Sequence, residues 1–270
     1  MLPCRMVAAQ ERVAALLAAP AFPIDEMVRG GTHKVERVAD GDTVTLASGR
    51  DVRMVGMQAP KLPLGRPGYA AWPLAQAAKA ELERLVAGQT VTLYFGGRDM
   101  DRYGRWLAHL VRSDGLWLQA AMLEAGLARV YTFSDNRSGI AALLAAEARA
   151  RAARRGIWAH PFYQVRTPKA LEAEPQAFVD TFQIVRGVVD STGDAGGRIF
   201  INFGGDWSTD FTAVIGRGAR RRYGNAFRIE SLRGTPIELR GWVTLKNGPS
   251  IDITHPEQIV YYPTDHGPEE

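Results

Sequence analysis

Apolar and polar positions alternate through "KVERVADGDTVTL", residues 34–46, on both sides of one glycine, which predicts two strands joined at Asp40-Gly41-Asp42. "RDVRMVGM" continues the period of two, with Val52, Met54 and Gly56 on one face and Arg53, Val55 and Met57 on the other. The Pro- and Gly-rich "QAPKLPLGRPGYAAWP" that follows reads as irregular loop. The period then lengthens. Leu74, Ala77, Ala78, Leu82 and Leu85 share one face of a helix spanning about 73–87, with Pro73 in its first turn and Gly88 past its end. "TVTLYFGG" is a fourth strand, and "GRWLAHLVRSDGLWL" a fifth with a turn at Ser113-Asp114-Gly115. "QAAMLEAGL" is a short helix stopped by Gly126, "ARVYTF" is extended, and "SGIAALLAAEARARAARRG" is a long helix with a basic C-terminal end.

The pattern changes after Trp158. Residues 161–176 carry three prolines and no period, and read as a linker. Five strand-like runs follow: "TFQIVRGVVDS", "RIFINFG", "DFTAVIG", "IELRGWVTL" and "SIDIT", with the basic "RGARRRYGNAFRIESLRG" after the third. Five short strands with a helix after the third match an OB-type barrel. The expected organisation is a leader at 1–31, a first domain at 32–160, the linker, a second domain at 177–262 and a loose tail at 263–270.

With 46% hydrophobic and 23% charged residues, 270 residues suffice for two domains with cores of their own. A formal charge of +4 leans towards an acidic partner, nucleic acid or an anionic membrane surface. Cys4 is the only cysteine, so an intrachain disulfide and a cysteine-based zinc site are excluded, and the five histidines lack zinc-site spacing. At the N-terminus, "VAALLAAPAF" between basic residues has the outline of a signal peptide, yet Glu11 sits in the basic region. A signal peptide would place the protein in the periplasm or outside the cell; a plain leader would leave it in the cytoplasm. No apolar run approaches a membrane span.

"DGDTV", the arginine-bearing strand running into "QAPK", then "DRYGRWLAHL" and "IWAH" stand in one order, and here residues 32–160 resemble the thermonuclease (staphylococcal nuclease-like) family. The resemblance implies an α+β fold, a five-stranded OB barrel with three helices, and calcium-dependent cleavage of DNA or RNA phosphodiesters. It assigns the catalytic site to Asp42 as first metal ligand and to Arg53 and Arg105 as phosphate-binding arginines. Such chemistry needs carboxylates for a hard cation, one more for the attacking water, and arginines for transition-state charge. The family continues Asp-x-Pro-Glu where this chain has "QAPK": Gln58 stands for the second metal aspartate and Lys61 for the base glutamate.

One carboxylate against two guanidinium groups and one ammonium leaves a net charge of about +2, which suits a phosphate and repels a cation. A protonated Lys61 cannot act as base. The expectation is therefore a nucleic-acid-binding protein with a degenerate site, needing no cofactor. Calcium enters only if the site is active. The alternatives are an active phosphodiesterase with a rearranged site, and a scaffold that binds protein partners. Structural readings stand beside these: Asp40-Gly41-Asp42 as a plain hairpin turn, Arg53 as a cross-barrel ion pair, Arg105 as a solvated strand end.

"FINFGGDWSTDFT" with "RGWVTLKNGPSIDITHPEQI" is similar to OB-fold nucleic-acid-binding modules appended to bacterial nuclease-like proteins. Binding of this kind stacks single-stranded bases on aromatic rings beside basic groups. Most aromatics here are expected to fill the barrel; Trp207 is the exposed candidate, with Arg220, Arg221 and Arg222 for charge and Arg53, Lys61 and Arg105 in the first domain.

Overall fold

The predicted alternation of residues 34–54 builds one wall of a barrel. The structure is a computed structural model and describes residues 22–223 and 229–262. The chain divides into two units, residues 1–163 and 164–270. The first contains strands β1 (Val28–Asp40), β2 (Thr43–Leu46), β3 (Asp51–Met54) and the two-residue β4 (Met57–Gln58). Helix α1 (Ala75–Val86), strands β5 (Thr90–Phe95) and β6 (Trp106–Arg112), helix α2 (Leu118–Glu124), strand β7 (Arg129–Val130) and helix α3 (Ile140–Ala152) follow. The barrel closes in the order β1-β2-β3-β6-β5, with β3 and β6 parallel and β1 returning to β5. Val44, Leu46, Val52, Met54, Leu93 and Leu110 fill its interior, and Leu82 and Leu143 bring α1 and α3 onto the same core. This is the α+β architecture with an OB-type barrel that the sequence implied.

β1 begins six residues earlier than its alternation shows. Residues 28–33 are polar or exposed, and they are held by pairing with β5, where the Thr32 and Thr92 hydroxyls lie 2.9 Å apart. Residues 28–31 thus belong to the barrel and not to a leader. The remaining leader, 1–21, and the tail 263–270 lie outside the described residues. Pro73 precedes α1 instead of sitting in its first turn, because Leu74 takes a left-handed conformation (φ 65°) before the helix starts.

The stretch 161–176 is not a linker. Tyr163 Oη donates to the Pro73 carbonyl at 2.7 Å, fixing 161–163 to the first unit. In the second unit, Pro168 and Pro175 each open a short helix, α4 (Pro168–Ala173) and α5 (Pro175–Phe178), a position where proline's missing N–H costs nothing. Leu171 of α4 is fully buried in the second core.

The second unit continues with β8 (Phe182–Val188), β9 (Ser191–Ala195), β10 (Arg198–Asn202), β11 (Thr212–Ile215), helix α6 (Arg217–Arg220), β12 (Pro236–Leu245), β13 (Pro249–Ile253) and β14 (Ile259–Tyr261). These are seven strands in one sheet, where five were expected. β8 and β9 are successive segments, one pairing β12 and the other β10. Taken as one bent strand, they give the order β8/β9-β10-β11-β13-β12, with β11 and β13 parallel, which repeats the order of the first barrel. β14 is an addition on β12. β9 escaped detection because "STGDA" has no apolar face.

His109 on β6 is 1% exposed, its ring 5.5 Å from that of Trp117, and its Nδ1 has no hydrogen-bond partner among the described residues. Burial pushes its pKa from 6.5 down to about 3. The unfolded chain binds this proton near 6.5 and the folded chain resists it, so the stability held above pH 6.5 drains as pH falls towards 3. The slope is on the order of 1.4 kcal/mol per pH unit. Urea unfolding at pH 7.5 and pH 4.5 should show a larger loss for the native chain than for His109→Phe; equal losses would remove His109 as the source.

Candidate functional site

Gly41 lets the β1–β2 turn lie flat against its neighbours. A Cβ there would stand 2.7 Å from the Cβ atoms of both Ala59 and Ala78. The turn therefore drives the fully buried Asp42 side chain into the loop after β4. Asp42 Oδ2 accepts from the Ala59 N–H at 2.8 Å, and the Lys61 ammonium sits on both carboxylate oxygens, 2.9 Å from Oδ1 and 2.7 Å from Oδ2. Lys61 Nζ is also 3.6 Å from Asp40 Oδ2. Arg53, opposite Thr43 in the β2–β3 ladder, forms an ion pair with Asp42 Oδ1 and donates to the Met57 carbonyl at 3.0 Å.

The two cations carry the cost of this packing. Burial lowers Arg53 to about 10, against the pull of Asp40, so it stays charged at neutral pH. Burial, then the Arg53 guanidinium, draw Lys61 well below the ordinary lysine range, while Asp40 opposes them. Two carboxylate oxygens within 3 Å of Nζ are the surroundings of an ammonium, and we place the proton on Lys61.

Gln58 faces elsewhere. Antiparallel pairing of β4 with β7 sets it opposite Arg129, whose Nε and Nη2 donate to Gln58 Oε1 at 3.1 and 2.7 Å. Arg129 is buried, its guanidinium 5.7 Å from the Trp72 ring and 6.0 Å from that of Tyr163.

Arg105 does not join Asp42. Its Nε and Nη2 lie 2.8 and 2.7 Å from Asp101 Oδ2. Burial works to raise the Asp101 carboxyl, but hydrogen bonds from Arg105 and Tyr103 outweigh it and hold the group below its ordinary range. Arg105 and Arg53 line one cleft of about 420 Å³, together with Arg98 and Arg102, against Asp101 and Asp135. Tyr131 and Phe133, edge to face at 4.9 Å, form an aromatic wall of the same cleft. Arg53 is already paired with Asp42, Arg105 with Asp101, and Arg98 lies 3.9 Å from Asp135, so Arg102 is the guanidinium of this cleft that has no carboxylate partner among the described residues.

The calcium that the fold type implies does not fit these residues. The carboxamide oxygen of Gln58 is taken by Arg129, and both oxygens of Asp42 are taken by Lys61. Among the described residues no three His, Cys, Asp or Glu side chains gather to hold a metal. Calcium needs several anionic oxygens free to turn towards it.

The profile of the staphylococcal nuclease homologue family matches residues 51–160, from β3 through α3. An uncharacterized endonuclease of Escherichia coli O157:H7 is 34% identical over 128 residues, 46% of this chain and 75% of the relative. The chain belongs to the staphylococcal nuclease homologue family. A thermonuclease of Staphylococcus intermedius is 31% identical over 112 residues, 40% of this chain and 65% of that protein. A probable staphylococcal-like nuclease of Oryza sativa subsp. japonica is 32% identical over 136 residues, half of this chain and 37% of its own. The first unit is thus a nuclease-family domain, and residues 164–270 lie beyond the family match.

The residues that the sequence pointed to are divided by their surroundings in the fold. Asp42, Arg53 and Lys61 come together, but Lys61 is spent on Asp42 and does not face the cleft. The charge of about +2 counted from sequence omitted Asp40 and Asp101; with them, three carboxylates face Arg53, Lys61 and Arg105, Asp135 lies 3.9 Å from Arg98, and the excess positive charge comes from Arg102. Arg98 and Arg102 were visible in "GGRDMDRYGR". In the second unit all three arginines of the run are exposed; Arg220 is paired with Asp194 at 2.7 Å and Arg222 donates to the Thr254 carbonyl at 3.4 Å. Trp207 is exposed, as expected.

Two substitutions test the assignment of Lys61 and Gln58. Lys61→Met strips the buried Asp42 of one cation and should cost about 3–5 kcal/mol in urea unfolding, as for other broken buried pairs. Gln58→Asp should form a salt bridge to Arg129, and calorimetry should detect no calcium binding; a calcium site in that variant would mean that Asp42 can release Lys61.

Proposed function

We propose that the first unit binds nucleic acid through its phosphates in the arginine cleft and does not cleave it by calcium-dependent hydrolysis. The observation that carries this reading is the Lys61 ammonium lying on both oxygens of Asp42, within the space where a cation would have to be held. The arginine excess of the cleft supplies the attraction, and the Tyr131 and Phe133 rings offer surfaces for bases. The relatives' names add that related chains act as nucleases.

A second reading, a phosphodiesterase with a rearranged site, would use Lys61 as base: it is largely buried and shares Asp42 with the Arg53 guanidinium, and both features favour its neutral form. The two carboxylates around it oppose loss of the proton. Cleavage that persists in chelator, rises with pH and vanishes in Lys61→Met would establish this reading in place of the first.

Binding of an oligonucleotide should fall steeply with salt, by roughly 0.7 log units per phosphate contact per log of salt for single strands. Arg105→Ala and Arg102→Ala should each weaken binding and reduce that slope by about one contact. Neither touches the buried Asp42 cluster, so both should fold. Calcium-stimulated cleavage, or binding indifferent to both substitutions at low salt, would sink the proposal.

A further inference from the structure

Strand β10 places Ile199 and Ile201 in the core of the second unit and turns Arg198, Phe200 and Asn202 to the opposite face of the sheet. There they line a groove of about 540 Å³ bordered by Trp207 of the β10–β11 connection, a residue 68% exposed. The register sets Gly193 of β9 directly opposite Phe200. Nothing but the Phe200 Cβ, at 4.0 Å, comes near the place where a Gly193 Cβ would stand, so the ring is left uncovered on that side. Lys246 stands at the groove beside Asp252, 3.7 Å away, and both side chains are mostly exposed. Arg198 is exposed and makes no ion pair among the described residues.

We propose that this groove is a second nucleic-acid site, taking the unpaired bases of a single strand. Trp207 and Phe200 provide stacking faces, and Arg198 and Lys246 neutralise the phosphates that run past them. Two accessible rings on a sheet surface, with unshared positive charge beside them, fit a ligand that is aromatic and anionic at each repeat. A duplex would hide its base faces. An apolar peptide would leave Arg198 without a partner. Asn202, which shares hydrogen bonds with the hydroxyls of Ser191 and Thr212 at 3.2 and 3.3 Å, fixes the polar floor between the rings.

This site is independent of the arginine cleft in the first unit, and the experiment separates the two. The full chain is titrated with a fifteen-nucleotide deoxythymidine strand, with an abasic strand of the same length and charge, and with the corresponding duplex. Fluorescence is compared with that of Trp207→Phe to isolate the Trp207 signal. The single strand should quench Trp207, and the abasic strand and duplex should not. Trp207→Ala should weaken single-strand binding about tenfold, with Trp207→Phe retaining most of it. Gly193→Ile, which covers the Phe200 ring without removing any group, should weaken it similarly, and Arg198→Ala should reduce the salt slope. The quench should survive in Arg105→Ala. If Trp207 is silent to the single strand and affinity ignores Trp207→Ala and Gly193→Ile, the groove is not a base site, even where Arg105→Ala still weakens binding. Quenching by a duplex or by the abasic strand as strong as by the base-bearing strand would also overturn it.

Discussion

The buried carboxylate of Asp42 organises the first unit. It receives the Ala59 N–H, the Lys61 ammonium and the Arg53 guanidinium, and so ties the β1–β2 turn, strand β3 and the loop after β4 at one point. A carboxylate with no exposed surface is unfavourable unless it is paired and hydrogen-bonded, and here each oxygen has at least two partners. In a metal-dependent site the same carboxylate must be incompletely satisfied by protein so that a cation can complete it. A metal could reach Asp42 here only by displacing Lys61 from its oxygens.

Much of the first barrel was legible because its strands are buried on one face, so that apolar residues recur at every second position. Asp42 and Arg53 were named together because the resemblance assigns both, and the structure joins them because the β1–β2 turn sets Asp42 next to Thr43, which pairs with Arg53 of β3. The partners of Gln58 and Lys61 were not. Arg129 reaches Gln58 from 71 residues away through a two-residue ladder too short to show a period. The charge tally from motif positions alone missed Asp40 and Asp101, which belong to the same turns as the residues that were counted. The polar half of β1, and β9 with its "STGDA", are held by backbone ladders that leave little trace in side-chain pattern. Prolines at 168 and 175 suggested a break; as first-turn residues they start helices instead.

The second unit shows the same principle from the other side. Its pairing order repeats that of the first barrel, yet its surface chemistry differs. The arginine run 220–222 looked like a nucleic-acid patch in sequence, whereas two of its members have partners, Arg220 in Asp194 of β9 and Arg222 in the Thr254 carbonyl. Arg198, a single arginine within an apolar strand, is by contrast exposed without an ion pair among the described residues, and its exposure follows from the period of two that buries Ile199 and Ile201. A cation's neighbours decide whether its charge is available; the density of arginines along the chain does not.

The same distinction separates the two halves of the first unit's site. Lys61 neutralises Asp42 from within and is held by a covalent tether, so its effective concentration at the carboxylate needs no external ion. Calcium would bring two charges, but it would have to displace the ammonium and leave it unpaired in a buried position, which is costly in proportion to the same burial that already lowers Lys61. Arg53 is held by the cluster, while Arg98, Arg102 and Arg105 depend on the "GGRDMDRYGR" segment and on Asp101 and Asp135. The arginines of the cleft other than Arg53 therefore rest on a different piece of chain from the Asp42 cluster, so a change in one need not dismantle the other.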